Sequence, residues 1–580
     1  MKAANLLDFS IIVVYMLAMG SVGFAFMRFN KGASDYFKGG NRIPWLAAGL
    51  SSFMSGFSAW TFTGAAGIAY RNGIVVVLLY VGNALAFLLG YFVFAQRWRR
   101  TRISTTMAYL VERFDEPTRQ LFSITSVFFQ TFVGAAILYG LSLMVASTCG
   151  FPMVSTIVAS GALVLLYSTL GGLWAIVIND FLQAVILLPF CLVLVGASLA
   201  HVGGLVALYR ELPPQMVSLH LHGQYSWGYV LCWALMISFG YNTGAVAQRY
   251  FSVDTERSAK RVAILCFLLF LVGAFIWFIP PMAMRVVYPD LAKVLPRFVN
   301  PQEAAFAAAS LTLLPNGLIG IMLAAMFSST MANLSGAFNL YAGILSKDVY
   351  QPLFAPDAGE FAMLRVGRIA SAVVATCVTL LAVLLAVTGK SIFSVMVTFN
   401  TILSLAYGPP ALLGLIVKKT PSWSGSASLL AGLIIGTIGT FLLGWGLVMN
   451  VVVVVPISVG IFLASRWFER PESVRQQSRE RLFLRLATPI DVSKELAGSS
   501  DPTTRVFRFL SVVTGVIGLA SLLLLLSVPV ENRSIVIAYS GITLAAAAGL
   551  AFIRGKQPAE QVSLKASQDV ACSGSGRISD

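Results

Sequence analysis

About fifteen stretches of roughly 20 predominantly apolar residues follow one another through this chain, each long enough to cross a bilayer. They run approximately over residues 6–28, 44–71, 73–97, 120–149, 153–176, 178–202, 227–247, 261–286, 314–346, 364–388, 391–417, 423–446, 447–467, 507–529 and 533–553. Lipid offers no hydrogen bonds to a backbone, so a run of this kind must fold as helices. The fold class is therefore all-α, a polytopic membrane protein. Charged residues make up only 11% of the 580 positions, against roughly 25% in soluble domains. The first stretch, Leu6 to Met27, is too long for a signal-peptide core and follows a thin basic segment, Met1-Lys2-Ala3, so a retained helix is expected.

The net charge of +16 is placed by topology. Lys and Arg gather in alternate loops: Arg28, Lys31, Lys38 and Arg42; Arg97 to Arg119; Arg249 to Arg261; Lys347 to Arg368; Lys418 and Lys419; Arg466 to Arg505. The positive-inside rule assigns these loops to the cytoplasm of an inner (plasma) membrane, with the N-terminus outside and the C-terminus inside. No basic run is interleaved with base-stacking aromatics, so no nucleic-acid partner is expected.

Membrane enzymes need acids, bases or metal ligands gathered at membrane depth. Here His201, His220 and His222 all fall at or in one loop, and the six cysteines have no metal-ligand spacing. No enzyme is expected. Transporters, in contrast, carry interrupted helices at the midplane. Ser51 to Gly64 breaks an apolar stretch with hydroxyls and glycines, and Ser238-Phe239-Gly240-Tyr241-Asn242-Thr243-Gly244 breaks another, five stretches later. That offset is what an inverted five-helix repeat requires. Small residues in such segments also serve plain helix packing.

Asp35 to Trp45 looks like the segment that precedes the first core helix of sodium:solute symporters. Tyr167-Ser168-Thr169-Leu170-Gly171-Gly172-Leu173-Trp174 through Asn179-Asp180-Phe181-Leu182-Gln183 is similar to that family's signature between its fourth and fifth core helices. Arg99 to Thr105, Leu110 to Phe114 and Ser346 to Tyr350 agree as well, and the resemblance covers roughly residues 5–465. It does not separate the proline-type from the sugar-type branch. It implies a LeuT-type five-plus-five inverted repeat: a helix and linker over 1–43, repeats over 44–202 and 203–417, two helices over 418–467, a cytoplasmic loop over 468–506, two more helices over 507–553, and a disordered tail over 554–580.

The resemblance further implies a sodium ion held by the backbone carbonyls of Met54, Phe57 and Ser329, with side-chain ligands at the positions of Ala332 and Asn333. The sequence departs from the family there, because Ala332 offers no side-chain oxygen and Asn333 offers only its amide. The hydroxyls of Ser328, Ser329 and Thr330 could shift the site by a register, or back-bond to their own helix. Gly56 is a second departure, standing where the proline-type branch has an acidic residue.

The implied solute pocket is lined by Trp60, Thr61, Tyr80, Asn83, Tyr139, Tyr241, Asn242, Phe399 and Asn400, and each of these could equally be packing. Thr61 and Tyr80 replace the polar sugar contacts of the galactose-type branch, whereas Trp60 and Tyr241 match the proline-type branch. The third core helix holds no arginine for a carboxylate, as sialic-acid members have, so a compact organic solute is expected. Asp180, a carboxylate at membrane depth, is either functional or a helix-entry residue. Phe239 or Tyr241 is expected at an inner gate.

Three functions are compatible with this pattern. The first is sodium-coupled symport of a small organic solute into the cell, the second a proton-coupled or uncoupled carrier, favoured by Ala332 and Gly56. The third is a solute sensor derived from a transporter, for which a fused signalling domain would speak. The oligomeric state is not encoded in any of these features.

Overall fold

The structure is a computed structural model that describes residues 5–27, 41–103, 106–167, 173–221, 223–296, 298–355, 357, 360–469, 473–491, 495 and 503–552. Most of the Asp35 to Trp45 motif, Gly171-Gly172 and the 554–580 tail lie outside the described residues.

The elements in chain order are α1 (Leu6–Met27), α2 (Trp45–Ser55), α3 (Ala66–Asn72), α4 (Ile74–Leu89), α5 (Ala95–Thr101), α6 (Thr106–Arg113), α7 (Glu116–Cys149), α8 (Met153–Tyr167), α9 (Leu173–Val202), α10 (Trp227–Tyr241) and α11 (Gly244–Ser252). They continue with α12 (Glu256–Val287), α13 (Ala305–Leu313), α14 (Leu318–Gly343), α15 (Glu360–Thr388), α16 (Ile392–Leu413), α17 (Ser424–Phe441), α18 (Leu447–Ala464), α19 (Ser473–Ala487) and α20 (Thr503–Leu522). A last span covers Val530–Phe552.

Among the described residues ten helices are long and apolar enough to cross a membrane, or eleven with the bent pair at α10 and α11 counted as one. Three shorter apolar helices, Leu6–Ala18, Met153–Leu165 and Leu318–Phe327, and the interrupted α2–α3 segment account for the other expected stretches. Large apolar side chains such as Phe92, Val272, Leu380 and Val387 lie exposed along the spans, as lipid contact requires.

Both expected interruptions are present. The 44–71 stretch is α2 and α3 with a break and a π turn, Thr61–Ala65, between them. The 227–247 stretch is α10 and α11, bent by 47°. Four segments, α2, α4, α10 and α12, pack on one another as a bundle, while α7, α8, α14 and α15 form a second group. Helix boundaries follow local chemistry: Asp115 accepts from the Thr118 N–H at 2.8 Å to start α7, and Gly150, at φ 82°, ends it.

Helix α1 is pinned to α14 by a buried carboxylate. Asp8 Oδ1 accepts the N–H groups of Gly317 (2.6 Å) and Gly320 (2.8 Å), and its Oδ2 accepts the Asn316 amide at 3.1 Å. These are start-of-helix donors that otherwise have no partner. The polar insert after α18 is partly ordered: α19 docks on α5 and α6, with Arg479 donating to Glu469 (2.5 Å) and Arg485 paired with Glu112.

Candidate functional site

The first interruption is the centre of the site. Gly56 closes α2 by donating to the Phe53 carbonyl at 3.1 Å, and the Phe57 N–H reaches the Met54 carbonyl at 3.0 Å. Ser58 restarts the chain by accepting from Thr61 at 3.0 Å. Helix α7 approaches closely here, since a Cβ on its Gly140 would lie 2.8 Å from Thr63 Oγ1 and 3.5 Å from the Trp60 nitrogen.

Met54 and Phe57 are buried at the break. Opposite them, Thr330 of α14 is fully buried and its hydroxyl accepts the Ala59 N–H at 3.4 Å. Asn333, one turn further along α14, is half-buried. Ser329 and Ala332 lie within α14, with side chains outside the described part of the structure. Among the described side chains, the oxygen that meets the break directly is that of Thr330, one of the three hydroxyls of the alternative register.

Gly56 has a steric cause. Any Cβ there would come within 2.8 Å of the Tyr241 hydroxyl and 3.2 Å of Phe270. Tyr241 donates to the Gly56 carbonyl at 3.3 Å and packs on Phe87 and Phe270. The aromatic hydroxyl of the second interrupted helix fills the space that a side chain at Gly56 would need.

The expected solute residues separate into two sets. Trp60 stacks nearly parallel to Phe393 (5.8 Å between centroids), Tyr80 (6.3 Å) and Trp233 (6.4 Å), and Trp233 stacks on Phe393 at 5.9 Å. Tyr80 donates to Thr61 Oγ1 at 3.0 Å, and Trp233 donates to Asn83 Oδ1 at 2.9 Å. The Trp60 indole N–H is buried without a partner among the described residues. Tyr139 is buried on α7, one residue before Gly140.

The other set stands apart. Asn242 donates to the carbonyls of Ala86 (3.0 Å) and Ser238 (2.9 Å), which ties α10 to α4. Phe399 stacks on Phe132 at 4.1 Å and lies near the exposed Phe441, while Asn400 donates back to Met396 at 3.0 Å. Phe239 packs against α16 at Gly408.

Asp180 is buried in a charged network. It accepts the Ser51 hydroxyl at 2.6 Å and faces Arg249 at 3.6 Å, and Arg249 Nε donates to Ser51 at 3.2 Å. Three elements, α9, α2 and α11, meet there. A carboxylate at this depth is tolerable only with such partners.

Sequence reasoning missed Trp233, Phe393 and Glu303. The Glu303 carboxylate is buried beside Gly67 of α3, accepts the Ser391 hydroxyl (2.7 Å) and the Ile392 N–H (2.9 Å), and leaves Oε2 without a partner among the described residues. Burial raises its pKa to about 6, against the smaller opposing effects of Ser391, Arg71 and the α16 backbone. A lone glutamate after a proline gave no signal in the sequence. Its meaning lies in the start of α16, some ninety residues on.

The sequence pattern described as "Sodium:solute symporter family" matches residues 36–436, more than half of the chain. The chain belongs to the sodium:solute symporter family. Among its relatives, this symporter is 26% identical to sodium/glucose cotransporter 2 of Rattus norvegicus, over 74% of this chain and 71% of that one. It is 24% identical to the sodium/sialic acid symporter SiaT of Proteus mirabilis, over 77% of this chain and 90% of that one. In fold the symporter is similar to the substrate-bound outward-open structure of a Na+-coupled sialic acid symporter, with a TM-score of 0.68 at 21% identity, covering 80% of this chain and 99% of that one. It is a multi-pass membrane protein that couples movement of a small solute to sodium.

Proposed function

We propose that this symporter takes up a compact solute without a carboxylate, held against Trp60, Tyr80, Trp233 and Phe393 and hydrogen-bonded by the Trp60 indole. The observation that carries this reading is the buried Trp60 N–H, which lacks a partner among the described residues and lies two residues beyond the Gly56–Ser58 break. A buried donor left unpaired costs about 1–3 kcal/mol, which an acceptor on the solute would recover. Named solutes of the relatives include glucose and sialic acid. Helix α7 has no arginine beyond Arg119 in its first turn, so no carboxylate clamp is built here, and a compact neutral solute fits better than an acid.

Sodium would sit between the carbonyls of Met54, Phe57 and Ser329 and the side-chain oxygens of Asn333 and Thr330. A hard cation takes several oxygens, and Thr330 makes up for the one that Ala332 lacks. Sodium entering down 100 mV releases about 2.3 kcal/mol, enough for roughly fiftyfold accumulation of a neutral solute. The basic end of the bundle faces the cytoplasm under this reading, and the Ser51, Asp180 and Arg249 network closes the inner side of the path. The repeats extend over 44–202 and 203–417.

Purified protein in proteoliposomes, screened against sugars, polyols and amino acids, tests the assignment. Uptake of a neutral solute that disappears when sodium is replaced by choline is the expected result. Uptake confined to carboxylate solutes contradicts the solute reading.

A further inference from the structure

Three cations gather at the basic end of α12 without a carboxylate to neutralise them. Arg257 and Arg261 are exposed and Lys260 is half-buried, and none forms an ion pair among the described residues. The nearby acid, Glu256, is occupied by Arg100 at 2.6 Å and by the Ile490 N–H at 3.2 Å. Together with Tyr91 and Gln96 from the facing segment these residues line a cleft of about 440 Å³.

The cleft is shaped by a local irregularity. The π turn Gly90–Phe94 interrupts the helical run between α4 and α5, and its Tyr91 ring lies 5.7 Å below the Lys260 ammonium. Arg261 stands 5.7 Å over the Trp45 ring in the same way. Aromatic rings beside cations at the end of spanning helices mark the level of lipid headgroups.

What distinguishes the cleft from an ordinary basic loop is what leads into it. Exposed Leu268, Val272 and Phe275 continue one face of α12 beyond Arg261, and exposed Leu85 and Leu89 of the antiparallel α4, with Phe92 of the π turn, run beside it. From Arg261 to Val272 is about 16 Å at 1.5 Å per residue, roughly half of a 30 Å hydrocarbon core.

We infer that the groove between α4 and α12 is a binding site for an anionic phospholipid, with its phosphate among Arg257, Lys260 and Arg261 and its acyl chains along the two apolar stripes. A free phosphate would meet the cations but leave the stripes unused. The lipid uses both. The inference rests only on the chain spanning a membrane, and stands whether or not the solute reading does.

The test is a melting measurement on the detergent-purified full chain, titrated with phosphatidylglycerol, phosphatidylcholine or inorganic phosphate. Phosphatidylglycerol is expected to stabilise saturably, and the other two are not. In the R257Q/K260Q/R261Q variant the apparent affinity for phosphatidylglycerol should fall about a hundredfold, roughly fivefold for each cation, with melting in phosphatidylcholine unchanged. A control K418Q/K419Q variant, which removes two exposed cations elsewhere, should bind as the wild type does. If the triple variant does not fold, R261Q alone should show a fivefold loss. An unchanged affinity in either variant overturns the site. So does equal stabilisation by phosphatidylcholine, or by inorganic phosphate alone.

Discussion

At the first interruption, between α2 and α3, the open backbone turns toward groups on other helices: Thr330 meets the Ala59 N–H and Tyr241 meets the Gly56 carbonyl. At the second, between α10 and α11, most polar groups bond to fixed neighbours, and Asn242 Oδ1 is buried without a partner among the described residues. The Asn242 carbonyl accepts from Trp98 at 2.9 Å, its amide is spent on Ala86 and Ser238, and Thr243 bonds back to Phe239 at 2.9 Å. The two segments hold matching places in the repeats. The first is met by groups from α14 and α10, the second by groups from α4 and α5.

The sharpest way to break this comparison is at the glycines. Gly56→Leu should abolish uptake, a loss above hundredfold, because even its Cβ meets Tyr241 at 2.8 Å and overpacking of this kind costs about 1–3 kcal/mol before the rest of the side chain is counted. Gly244→Ala meets nothing within 4 Å but forces alanine to φ 55°, so it should lower stability by about 1 kcal/mol in a melting experiment with uptake retained. Equal effects on uptake would erase the distinction between the breaks.

The next largest effect falls on the solute. Trp60→Ala should weaken it by more than tenfold at saturating sodium, since it removes stacking and a hydrogen-bond donor, each worth about 1 kcal/mol or more. Phe399→Ala, remote from that stack, should change half-saturation less than twofold in the same uptake assay.

Asn242→Ala sharpens the comparison from the other side. It deletes two buried hydrogen bonds and should cost about 1–3 kcal/mol of stability, while the half-saturating sodium concentration stays within twofold of wild type.

A smaller, pH-dependent effect is expected at the end of α3. Glu303 has its pKa raised by burial to about 6 from 4.5, so the closed arrangement binds the proton more tightly than one in which the carboxyl meets water. Closure at that end should therefore be favoured by about tenfold as pH falls from 7 through 6 toward 4.5, and this gain is lost as pH rises above 6. Accessibility labelling across that range checks the direction. Glu303→Gln should flatten the profile.

Much of this was legible before any coordinates. Gly56 and the hydroxyls around it marked the first break, and Gly240 to Gly244 marked the second, because polar and small residues inside an apolar run have few other uses. Asp180 stood out as a charge at depth, but its partner Arg249 read only as one more basic loop residue. Pairing across 69 positions is a property of packing, which periodicity does not carry. The register of α14 was open for a related reason. Hydroxyls at Ser328, Ser329 and Thr330 cover nearly a full turn, and only the position of α2 brings the Thr330 hydroxyl to the Ala59 N–H. Asn242 and Phe399 have side chains suited to a pocket, yet the bend of α10 and the face of α16 turn them toward protein neighbours instead.

Sodium is expected to bind between the first break and α14. Binding of radioactive sodium to the purified chain, compared across wild type, Thr330→Val and Asn333→Ala, tests it most directly. Saturable binding by the wild type is expected, weakened about tenfold in each variant, with the melting of Asn333→Ala in choline unchanged and that of Thr330→Val lowered slightly by the loss of its bond to Ala59. Wild-type affinity in both variants would contradict it.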